Sequence, residues 1–161
     1  MEAFLWTLVY TFGYLGVFLL GLISSATLFI PTPAFIIVFL IAPSMNPLLL
    51  GLFAGIGAAI GEMSGYIIGL GGEHVLLKKY DKRIRSLEKH FEKYGSNFII
   101  FLFAATPLPF DLVGLFCGAI KYPLKNFFLA TLAGKLVKYW VISFAGYYGL
   151  RWIMNTFGVV V

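Results

Sequence analysis

Four ionisable side chains stand in stretches that are otherwise apolar: Glu62 in GAAIGEMSGYIIGLGG, Asp111 in TPLPFDLVGLF, and Lys135 and Lys138 in LAGKLVKYW. A charge at the centre of a bilayer-spanning helix costs about 2.5–3.5 kcal/mol on insertion scales, so each must face protein, water or a polar ligand. Lysine stems can snorkel to an interface, which the shorter Glu62 and Asp111 cannot do. Lys135 and Lys138 lie three residues apart on one helix face, where like charges need compensation. The two carboxylates could supply it, and so could an anion: a phosphate beside two ammonium groups and the free amides of a broken helix is well held. Asp111 follows Pro109 by two residues, which puts it in the first turn of a helix. Interaction with the helix dipole alone would also favour it there.

The rest of the chain says which solvent these groups avoid. Of 161 residues, 60% are hydrophobic and only 12% charged, and the mean hydropathy is +0.92. A soluble domain carries about 25% charge, so composition excludes an ordinary soluble enzyme, a disordered chain and a nucleic-acid binder, despite a pI near 9.4. The net charge of +5 is local, because seven of the twelve Lys/Arg residues fall within 73–93. Cys117 is the single cysteine, so no intrachain disulfide forms. No nucleophile and base pair, P-loop or metal cluster is present in the sequence, so neither enzymatic activity nor a cofactor is expected. The N-terminal MEAFLWTLVY lacks the basic start of a cleavable signal peptide.

Apolar blocks run over roughly 4–42, 48–72, 96–120 and 124–150. A spanning helix needs about 20 residues, and the first and third blocks are broken by Pro31-Thr32-Pro33 and Pro107-Leu108-Pro109. Proline removes an amide donor and disfavours helix in the residue before it. The pieces 96–106 and 110–120 are then about 16 Å long as helix, half a membrane. We read 96–120 as a re-entrant hairpin and 24–44 as its counterpart, with Pro31, Pro33, Pro107 and Pro109 at the tips. A shift of 76 positions lays Pro31 on Pro107, Pro33 on Pro109 and Pro47 on Pro123 without a gap, which argues for an internal duplication.

The expected fold is therefore an all-α integral membrane protein. It is an inverted repeat with two opposed re-entrant helical hairpins and about three transmembrane helices, the first of them over 4–23. Residues 1–161 form one membrane domain: repeat one 4–72, an amphipathic linker 73–95, repeat two 96–150 and a tail 151–161. The basic excess places 73–93 on the cytoplasmic side of the cell membrane. There, Val75, Leu76, Ile84, Leu87 and Phe91 recur at helical spacing, suited to an anionic surface. Gly57, Gly61, Gly65 and Gly69 make an every-fourth-residue stripe for close helix packing, and Gly118 and Gly134 serve the second half likewise. Aromatics such as Tyr139, Trp140 and Trp152 read as interfacial belt or packing.

Residues 57–72 and 104–149 together resemble the DedA/VTT superfamily, also called SNARE-associated Golgi proteins. The run Pro-Leu-Pro-Phe-Asp followed by Gly-Lys-Leu-Val-Lys-Tyr looks most like its YqaA-like branch. The resemblance covers roughly 15–150. It implies two facing re-entrant helices and a role in moving lipids or polyprenyl phosphate between leaflets, sometimes with protons. It points to Gly61, Glu62, Pro109, Asp111, Gly118, Gly134 and Lys135. The chain departs from the family pattern in having no acidic residue in SSATLFIPTPAF, and Ala104, Ala105 and Phe110 where arginines flank the second proline cluster.

The expectation is a flippase- or scramblase-like translocase, with Glu62, Asp111, Lys135 and Lys138 binding substrate or protons. A proton- or cation-coupled carrier of a small solute and a non-transporting membrane scaffold are the alternatives. Expected partners are membrane lipids with anionic or phosphate-bearing headgroups, protons and a second copy of the chain.

Overall fold

The computed structural model describes residues 2–26, 34–72, 95–108 and 110–157. These are helical, as the composition and proline spacing predict: α1 Glu2–Phe12, α2 Tyr14–Ala26, α3 Ala34–Ile41 with a 3-10 turn Ala42–Ser44, α4 Pro47–Gly61, α5 Met63–Gly71, α6 Ser96–Ala105, α7 Asp111–Ala119 and α8 Leu124–Phe157. Among the described residues, two stretches are long and apolar enough to cross a membrane, Pro47–Gly71 with 25 residues and Leu124–Trp152 with 29. Large apolar side chains such as Ile67, Val141 and Trp152 stand exposed along them. An exposed apolar surface of this extent belongs against hydrocarbon.

Start signals explain the boundaries. Asn46 accepts the amides of Leu48 and Leu49, and Pro47 occupies the first helical position, where no intrahelical donor is lost. The Asn46 amide donates in turn to the Tyr14 hydroxyl at 3.0 Å. At the other end of α7, Tyr122 N–H bonds to Cys117 O and Lys121 N–H to Gly118 O, the pattern of a Schellman cap. Lys121 takes the left-handed position with φ 54°, where glycine is the usual occupant. K121G is accordingly expected to raise stability by about 1 kcal/mol, read as a higher thermal midpoint in detergent.

The structure departs from the sequence reading in three places. Residues 4–23 are not one crossing, because Gly13 at φ 55° breaks them and α1 folds back on α2. The close approach needs Gly16, where a Cβ would strike the Leu8 carbonyl. Of the three crossings expected, the described residues thus contain two helices of sufficient length. The helix of the 48–72 block turns at Glu62, between α4 and α5. The tail from 151 onward instead continues α8 to Phe157, since nothing between Leu124 and Phe157 is a helix breaker of proline strength.

In the third apolar block the two short helices stand as expected, α6 with 10 residues and α7 with 9. Pro107 is exposed in the bend between them. Pro31, Pro33 and Pro109 lie outside the described residues, as does 73–93 with its expected amphipathic helix.

The packing repeats between halves. Helix α2 lies along α4 as α6 lies along α8, and α7 packs on α5 as α3 packs on α8. Each half thus lends its second short helix to the long helix of the other. The glycines show how close these contacts are. Gly69 sits under the Leu115 carbonyl and Gly146 under that of Phe39, and positions 39 and 115 are separated by the same 76-residue offset as the prolines. Gly57 and Gly61 admit the backbone of α2, Gly65 and Gly69 meet α7, and Gly134 admits α6. One stripe on the sequence therefore serves two different neighbours.

Candidate functional site

Glu62 and Lys135 are the only buried charged residues among those described, each 5% exposed. Lys135 Nζ donates to Glu62 Oε1 in a buried ion pair. The pair lies between two apolar clusters. One contains Leu20, Ile37, Leu50, Ala58 and Tyr139, the other Tyr66, Ile100, Phe110, Val113 and Phe127. Helix α8 passes from Phe127 to Tyr139 through Lys135, so the lysine occupies the seam between them.

Local sequence explains how the pair is reached. Glu62 stands where α4 gives way to α5, directly after Gly61. A Cβ on Gly61 would meet the Leu22 carbonyl and Ser25, so α2 lies against the helix at this turn and closes one side. Gly134 does the same for Lys135, with the Phe101 carbonyl and Ala104 of α6 against it. Small residues beside each charge let the helices shut out lipid. The Lys135 ammonium also lies 5.2 Å from the Phe110 ring centre, a cation–π contact strengthened by desolvation. Phe110 stacks on Phe127, whose ring is 5.2 Å from Tyr66.

The other two ionisable groups singled out by sequence come to the same place. Asp111, half-buried at the first turn of α7, lies within electrostatic reach of Lys135. Lys138, also half-buried, feels both Lys135 and Glu62. All four thus gather from α4/α5, α7 and α8. Among the described residues, Asp111 and Lys138 make no ion pair or side-chain hydrogen bond, whereas Lys135 is engaged by Glu62.

Three further residues belong here. Tyr139, read from sequence as belt or packing, is buried within the field of Glu62. Thr131 and Ser143 are fully buried, and their hydroxyls find no partner among the described residues. The signal for all three is their spacing: Thr131, Lys135, Tyr139 and Ser143 recur every fourth residue, a polar line on one face of α8.

A charged cluster enclosed by helices whose outer faces are apolar defines a helical membrane protein, its polar groups turned inward. Residues 1–148 match the VTT domain, and the chain belongs to that family, the DedA/SNARE-associated proteins, whose members are membrane proteins. It is 26% identical over 143 residues to the uncharacterized protein MJ0201 of Methanocaldococcus jannaschii, covering 88% of each chain. It is 32% identical over 100 residues to vacuole membrane protein KMS2 of Arabidopsis thaliana and 29% over 103 to KMS1. Those matches take in 52% of this chain and 24% and 25% of the two plant proteins. No solved structure matches it.

Proposed function

We propose that the protein is a translocase of lipids with phosphate-bearing headgroups, phospholipid or polyprenyl phosphate, that carries the headgroup past the Glu62–Lys135 centre while the tails stay in hydrocarbon. The observation that carries this reading is the pair of half-buried charges, Asp111 and Lys138, which make no ion pair among the described residues, beside a closed and buried ion pair. A purely structural staple needs only Glu62 and Lys135. The additional cation offers a charge-assisted bond to phosphate, and Asp111 offers a carboxylate through which that cation can be released or a proton held.

The repeating packing supports an inverted repeat in which α3 and α7 are re-entrant halves reaching toward a shared middle. Secondary transporters build midplane sites from broken helices in this way. The polar line on α8 gives a headgroup successive partners, because the hydroxyls of Thr131 and Ser143 gain most from a ligand or water that satisfies them.

The test is reconstitution into vesicles carrying a fluorescent phospholipid or polyprenyl phosphate in one leaflet, with leaflet loss followed by an impermeant quencher. The protein is expected to exceed protein-free vesicles. K138Q and D111N should slow exchange about tenfold or more, the worth of one hydrogen bond to a charged group. Exchange equal to empty vesicles, or unchanged in both variants, sinks the proposal. Proton flux that depends on an added water-soluble solute, without lipid exchange, would favour the small-solute carrier instead.

A further inference from the structure

A groove of about 400 Å³ runs between α6 and α8 on the outer face of the molecule. Its walls are Phe98, Phe101, Leu129, Ala130 and Ala133, and Asn97 and Asn126 lie at one end. That end is where α6 and α8 both begin, so the amides mark the membrane surface and the apolar walls descend from it. From Asn126 to Ala133 the groove follows α8 for about 10 Å, within one leaflet of a hydrocarbon core about 30 Å thick. A mostly apolar cleft of this volume with a few placed polar groups is the usual build of a small-ligand site.

The mouth has a definite chemistry. The Tyr122 hydroxyl donates to Asn97 Oδ1 at 2.8 Å, which fixes the amide and leaves its NH₂ as the donating end. Asn126 is exposed beside it, next to the exposed Lys125, and Lys121 occupies the preceding turn. Residues 95–97 and 120–126 carry two lysines and no acid. A second copy of the chain meeting itself here would set like charges together, whereas an anionic headgroup complements them.

We propose that this groove seats one acyl chain of an anionic glycerophospholipid, with the Asn97 and Asn126 amides and Lys125 receiving its headgroup. The inference requires the chain to lie in a bilayer. It does not require the lipid to move, so its failure and the failure of translocation are separable.

The experiment is photo-cross-linking of the intact protein in vesicles whose anionic or zwitterionic phospholipid, with identical chains, carries a diazirine in the acyl chain. Adducts are mapped by mass spectrometry and no transport is measured. With the anionic probe, adducts at Phe101 and Leu129 are expected to exceed those at the more exposed Val141 and Ile67. N126A should lower that excess about tenfold, and A133F, which fills the groove, should remove it while leaving adducts elsewhere. An even spread over lipid-facing residues, equal labelling by the two headgroups, or no response to either variant overturns the proposal. So does efficient dimer formation through a disulfide in L129C, which would make the groove an interface between copies.

Discussion

Replacing Lys135 with alanine is expected to cost the fold about 3–5 kcal/mol, because it leaves the Glu62 carboxylate buried without its compensating charge. E62A should cost a similar amount for the mirrored reason. The measurement is the unfolding midpoint in mixed detergent micelles. A double variant, Glu62→Leu with Lys135→Met, removes both charges and restores shape, and such replacements are often neutral or stabilising. It is expected to recover most of the lost stability. Its transport behaviour then separates two roles. If the pair only holds helices together, the stable double variant exchanges lipid normally. If the pair is part of the path, exchange stays lost in a well-folded protein. Single variants as stable as the natural chain would mean the pair is not buried as described.

The second large effect is expected at Gly118. A Cβ there would meet the Tyr66 carbonyl and approach Leu70 N to 2.7 Å, both backbone atoms that cannot swing aside. G118A must push α7 off α5, and overpacking of this kind costs about 1–3 kcal/mol. Since α7 carries Asp111 at its first turn, the same shift should also slow exchange. Gly149 supplies the control. It lies in α8 with nothing within 4 Å of a built Cβ, so G149A should gain about 0.5–1 kcal/mol from helix propensity alone. Equal effects at the two sites would show that helix propensity, not close packing, governs both.

Much of this molecule is legible in one dimension. Proline marks helix ends by removing a donor, which is why α6 and α7 fall within a residue or two of the pieces cut at Pro107 and Pro109. Charge within an apolar run flags itself by its desolvation cost, which brought Glu62, Asp111, Lys135 and Lys138 to attention together. Gly13 did not flag itself, because glycine is common in membrane helices and its positive φ is chosen only when α1 folds back onto α2. Thr131 and Ser143 do not flag themselves either. A lone hydroxyl in an apolar run normally bonds its own helix backbone, and the structure shows instead that these two are buried with no partner among the described residues.

By itself, then, the sequence determined the solvent, the helical class and the places where helices end, since each follows from short-range chemistry of composition and backbone donors. Tertiary structure alone decided that Glu62 meets Lys135 across 73 residues of chain, that Phe110 lies against the lysine, and that Asp111 and Lys138 stand without an ion pair among the described residues. Which faces of two helices touch depends on where their backbones approach. Here that is set jointly by Gly61 against α2 and Gly134 against α6, a relation between distant residues that no local pattern contains.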